Sequence, residues 1–155
     1  MRILVFGDSI AQGFFDQEKG GWVNRLMIDL MSHGVKDPLG EWYDVFNLGV
    51  SGDFSADVLR RLETETKNRN WKRDPVAIVI AAGINNTYIA HGKSVSSPDE
   101  YEQEMTAILQ KAKELSAAVV VVGLTPADEA KTDPANWDTN ISFSNDRIWK
   151  FEDRL

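Results

Sequence analysis

Seven consecutive apolar residues, VAIVIAA at 76–82, constrain this chain more than any other stretch. A run that is apolar at every position has no wet face, so as a strand it must be covered on both sides. A parallel sheet flanked by helices provides that cover, and the rest of the chain supplies the parts. RILVF (2–6), DVFNL (44–48) and AAVVVVGL (117–124) are the other strand candidates. Between them apolar residues recur at helical spacing. Trp22, Val23, Leu26, Met27, Leu30 and Met31 form one stripe, ending at Gly34. Val58, Leu59 and Leu62 mark a second helix over 55–68, and Tyr101, Met105, Ile108, Leu109, Ala112 and Leu115 a third. SPDE (97–100) opens the third with a capping serine, a proline in the first turn and a glutamate that closes a capping box. A long polar loop then leads to a last helix near Ser144, with Ile148, Phe151 and Leu155 on one face. Strand and helix alternate four times without repeat or linker. The expected architecture is one α/β domain over 1–155, a parallel sheet with helices on both sides.

Composition removes several function classes. Net charge is −7 and the 17 basic residues are scattered, which argues against nucleic acid or an anionic membrane as partner. With no cysteine there is no disulfide, thiolate metal site or thiol nucleophile. No spacing of histidine and carboxylates suits a metal, and neither metal nor cofactor is expected. The apolar run after Met1 and Arg2 is too short for a signal-peptide core, and no other run reaches membrane-spanning length. A cytoplasmic location is the expectation.

In a parallel α/β sheet, ligands bind beyond the carboxyl ends of the strands. Three segments fall there: Gly7-Asp8-Ser9 after the first strand, GVSGD (49–53) after the second, and GINNT (83–87) after the third. A serine hydroxyl, a glycine turn with free N–H groups and a side-chain amide would converge on one edge. Acyl transfer needs that set: a nucleophile for the carbonyl, and fixed N–H donors for the charge developing on its oxygen. Ser9 is the candidate nucleophile, and Gly52 with Asn85 or Asn86 the candidate donors. Read blandly, GDS is only a strand-to-helix turn, with Asp8 or Ser9 capping the helix. Asp8 itself reads as a holder of the turn through backbone hydrogen bonds rather than as a base.

These blocks resemble those of the SGNH, or GDSL, hydrolases, small esterases and lipases with a flavodoxin-like α/β/α sandwich. GDSIAQG (7–13) fits the family's first block, NLGVSGD (47–53) its second, and GINN (83–86) its third, with Asn86 standing where an aspartate is usual. GLTPADE (123–129) looks like the stretch after the fourth strand in one bacterial branch. The resemblance implies a serine esterase acting on a small ester, such as an acylated sugar or lipid. It places the nucleophile at Ser9 and the oxyanion hole at the Ser9 and Gly52 amides and Asn85.

One block of the family, Asp-x-x-His, which supplies the base and its orienting aspartate, has no counterpart here. The only histidines are His33 and His91. The expectation is therefore of a fold truncated at its C-terminus, inside the helix before the last strand, and of a chain inactive or weak as it stands. A bare sheet edge would then favour a homodimer. His91, in the loop YIAHGKS, is the one residue that could substitute as base, while His33 suits a helix C-terminus. The alternatives are a non-catalytic fragment or small-molecule binding protein and, more remotely, a nucleotide-binding domain, which the absence of G-x-G-x-x-G spacing disfavours. Trp22 and Trp137 are candidates to line the pocket or merely to cover the core.

Overall fold

The structure, a computed structural model, describes residues 1–37, 39–70 and 74–155. Four parallel strands form the central sheet: β1 (Arg2–Gly7), β2 (Asp44–Gly49), β3 (Val76–Ala81) and β6 (Ala118–Val121), in the order β2-β1-β3-β6. The strand order puts β1 and β3 inside and leaves β2 and β6 as edges.

Side chains alternate across the sheet as period-2 geometry requires. Leu4 and Phe6 of β1, with Ile78 and Ile80 of β3, point to one face. There they meet α3 (Ser55–Arg69), α4 (Pro98–Leu115) and α6 (Asn145–Glu152) through Val58, Leu62, Tyr101, Met105, Ile108, Ala112 and Phe151. Val5 and Val79 point to the other face, which α1 (Ser9–Gln12) and α2 (Gly21–Lys36) cover with Ala11 and Val23. Helices thus lie on both sides of the sheet. The all-apolar run at 76–82 is buried except for Ala81, as its composition requires.

The capping box at α4 forms: Glu100 N donates to Ser97 Oγ at 3.2 Å and Ser97 N to Glu100 Oε2 at 2.8 Å. Several expectations need correction. α2 does not end at Gly34 but runs to Lys36; Gly34 faces the Trp42 ring, where a Cβ would come within 3.0 Å, so this glycine serves packing rather than termination. The stripe of α2 is less buried than its spacing suggests, and Met31 is 55% exposed. The fourth strand is shorter than 117–124. As an edge strand it has only Val119 packed on the helical face, while Val120 stays 50% exposed. Leu155 falls beyond the end of α6 and does not share its buried face. The segments read as loops also hold structure. Between β3 and α4 come a 3-10 turn (Ile84–Thr87) and the hairpin β4 (Ile89–Ala90) and β5 (Lys93–Ser94). The polar stretch 125–143 contains α5 (Glu129–Thr132) and β7 (Ile141–Ser142), and β7 pairs antiparallel with β4. Four-residue helices and two-residue strands are too short for periodicity to reveal.

Candidate active site

Register aligns the three strand ends. Gly7 of β1 sits opposite Gly49 of β2 on one side and Ala81 of β3 on the other. Ser9 follows two residues later, flanked by the turn carrying Gly52 and by the 3-10 turn carrying Asn85.

Ser9 is the first residue of α1, and Asp8 is its N-cap. Asp8 Oδ1 accepts from Ile10 N at 2.9 Å, and its side chain is almost fully buried. The bland role expected of Asp8 is thus what it performs. Burial pushes its carboxyl above the ordinary range, with the nearby Asp53 charge adding to the effect and backbone N–H groups opposing it. Ser9 is half-buried, and its hydroxyl makes no hydrogen bond to any described residue.

The β2 turn is pressed onto α1. A Cβ at Gly49 would stand 2.3 Å from Gln12 N, so only glycine allows this approach. Asn47 ties the two elements: its Nδ2 donates to the Ala11 carbonyl at 2.9 Å, and its Oδ1 accepts from Gly49 N at 3.0 Å. Val50 N donates to the Gly7 carbonyl at 3.0 Å, and Ser51 N to Gln12 Oε1 at 2.9 Å. Gly52 is exposed with φ +87°, a left-handed conformation, and nothing lies within 4 Å of where its Cβ would be. Its surface is therefore open to a ligand.

The two adjacent asparagines separate. Asn85 is half-buried and reaches toward the β2 turn, its Nδ2 donating to the Asp53 carbonyl at 2.9 Å. A primary amide carries two hydrogens, so this bond orients the group and leaves one to donate. Asn86 is buried, and its Oδ1 accepts from Ser55 N, at the start of α3, at 3.1 Å. Its Nδ2 faces Glu104, which also bonds Ser55 Oγ. Asn86 therefore anchors α3 and α4 through both polar atoms of its side chain.

An apolar cavity of about 160 Å³ opens beside Asp8, Ile10 and Ala11, between Trp22, Ile84 and Leu124. Trp22 lines this cavity and packs on the α2 face of the sheet. Trp137 is 67% exposed, with its ring 6.4 Å from that of Phe143. His91 occupies the turn of the β4–β5 hairpin at φ +50°, and its imidazole has no hydrogen-bond partner among the described residues. His33 lies in the last turn of α2, 3.8 Å from Asp29 and mostly exposed. The structural roles of Asn47 and Asn86 escaped sequence reasoning, although an asparagine within a strand signals a side chain with backbone partners to find.

A parallel α/β sandwich with a half-buried serine at the end of an inner strand, between a glycine turn and an asparagine, is the framework of a serine hydrolase. The chain belongs to the GDSL-like Lipase/Acylhydrolase family, whose sequence pattern matches residues 5–153. Solved structures similar to it include TesA, with TM-score 0.69 and 26% identity over 99% of this chain and 70% of that one. A lipase/acylhydrolase from Enterococcus faecalis gives 0.68 and 22% over 99% and 68%. AlinE4, an SGNH-hydrolase family esterase, gives 0.66 and 21% over 97% and 66%. The chain thus spans about two thirds of the length of these structures. No curated protein sequence matches it. Among the described residues no helix is long and apolar enough to cross a membrane.

Proposed function

We propose that this chain carries the nucleophile and oxyanion hole of a carboxylic ester hydrolase acting on small esters such as acylated sugars or lipids. Ser9 Oγ attacks the ester carbonyl. The amides of Ser9 and Gly52 and the Asn85 side chain receive the oxyanion, and the alcohol leaves as Ser9 becomes acylated. The observation that carries this reading is the sheet order, which sets Ser9 between the Gly52 turn and Asn85.

Among the described residues Ser9 has no hydrogen-bonded base. Loss of the histidine in a well-studied triad costs on the order of 10⁶ in turnover. Such sites retain roughly 10³–10⁴ over water through the oxyanion hole and binding alone. The 155-residue chain should therefore hydrolyse p-nitrophenyl acetate barely above background. A fluorophosphonate should label it slowly, at Ser9 by peptide mass, and Ser9→Ala should remove the label. Adding a C-terminal segment with Asp-x-x-His should raise the rate by orders of magnitude. Label on another residue would overturn the assignment of Ser9. Fast turnover by the 155-residue chain, lost in His91→Ala, would make His91 the base. A ligand bound in the cavity beside Ile10 with no Ser9 reactivity would favour a binding protein.

The outer edge of β6 favours self-association, because an apolar edge strand presents backbone N–H and C=O groups that no described strand pairs. We expect a homodimer or concentration-dependent oligomer through this edge, measured by light scattering. A monomer at high concentration would refute it.

A further inference from the structure

We infer that Arg61, in the second turn of α3 and remote from any motif, is a positioning residue that locks the Gly52 turn against the nucleophile strand; this rests on the ester-hydrolase reading above. Arg61 Nε donates to Asp53 Oδ2 at 2.8 Å, and its Nη2 donates to the Gly7 carbonyl at 3.2 Å. The guanidinium also lies over the buried Phe6 ring, 5.4 Å from its centroid. Both charged side chains are largely covered, at 17% exposure for Arg61 and 13% for Asp53.

Asp53 is where the three strand-end segments meet. Its carboxylate holds Arg61, its N donates to the Val50 carbonyl at 3.1 Å, and its own carbonyl accepts from Asn85 Nδ2 at 2.9 Å. Asp53 closes the four-residue turn 50–53 through its N–H to the Val50 carbonyl, while Val50 N is held by the Gly7 carbonyl. With both ends of the turn fixed, the peptides on either side of Gly52 are restrained and with them the direction of its N–H. Arg61 thus spans the segment of Ser9 through Gly7 and the segment of Gly52 through Asp53. The Asp53 carbonyl extends the link to Asn85. A planar fork can make both bonds at once, which the single ammonium of a lysine does less well. An oxyanion hole acts only when its donors are already aimed, so a loosened turn loses rate rather than affinity.

Two measurements on the 155-residue chain test this. The first is saturation kinetics of Ser9 phosphonylation by a fluorophosphonate, read by intact mass. Arg61→Met should lower the maximal rate at least tenfold while the half-saturating concentration stays within twofold. Arg61→Lys should fall between Met and wild type. The double variant Arg61→Met/Asp53→Asn, which removes the stranded carboxylate charge, should remain slow; recovery to the wild-type rate would show that charge alone, not positioning, was at fault. The second is amide hydrogen exchange. Arg61→Met should speed exchange at least tenfold over 50–54 and leave 76–81 unchanged. Labelling of Arg61→Met at the wild-type rate overturns the inference whatever the exchange shows. If wild-type Ser9 takes no label, the ester-hydrolase reading fails. Exchange then decides alone, and unchanged exchange over 50–54 refutes the lock.

Discussion

Two glycines offer a matched pair for testing the oxyanion assignment. Gly52 has φ +87° and Gly92, in the turn of the β4–β5 hairpin, has φ +74°. At neither position would a Cβ meet anything within 4 Å. Alanine at either site therefore brings no steric clash, only the strain of a left-handed backbone, about 1–2 kcal/mol for an L-residue. For a domain of this size 1 kcal/mol shifts Tm by roughly 2–4 °C. Gly52→Ala and Gly92→Ala should each melt about 2–8 °C below wild type by circular dichroism. Chemistry should separate them. Relief of the strain at residue 52 rotates its peptide and turns the N–H from the oxyanion, whereas residue 92 lies outside the proposed hole. Removing one oxyanion donor costs up to about 10²–10³ in rate. Gly52→Ala should therefore label at Ser9 at least tenfold more slowly than wild type, with Gly92→Ala close to wild type. Equal labelling of the two variants at equal melting temperature would refute the role of the Gly52 amide.

Asp8→Asn should raise Tm at pH 7, since asparagine keeps an oxygen for Ile10 N and removes a buried charge. A carboxyl raised in the folded state binds its proton more tightly there than when unfolded, so its ionisation costs stability. That cost is fully present above the folded value and absent below the ordinary 3.8. The gap between variant and wild type should therefore close as pH falls toward 4, and a gap that widened on acidification would refute the argument. Asn86→Ala leaves the buried Ser55 N–H without its acceptor and should cost about 1–3 kcal/mol in urea denaturation. A loss below a few tenths would show that α3 does not depend on this anchor.

The strand and helix alternation was legible in the sequence because it rests on local periodicity. VAIVIAA is buried at all positions but Ala81 because every residue in it is apolar, and SPDE starts a helix because its groups satisfy one another within four residues. The placement of Ser9, Gly52 and Asn85 along one sheet edge was legible for a related reason: each follows a strand within a few residues, and parallel strands end on the same side. What lay beyond reach was decided by partners distant in the chain. Asn85 and Asn86 are neighbours of identical chemistry, and their different surroundings were set by Asp53 and by Ser55 N, 32 and 31 residues away. AVVV at 118–121 is as apolar as an inner strand, yet the sheet order put it at an edge with its side chains half in solvent. Arg61 carries no motif; its bond to Gly7, 54 residues away, exists only because α3 packs back across β1. Local sequence sets which backbone each segment prefers. Which side chains then face one another depends on the packing of segments far apart, and that only the tertiary structure decides.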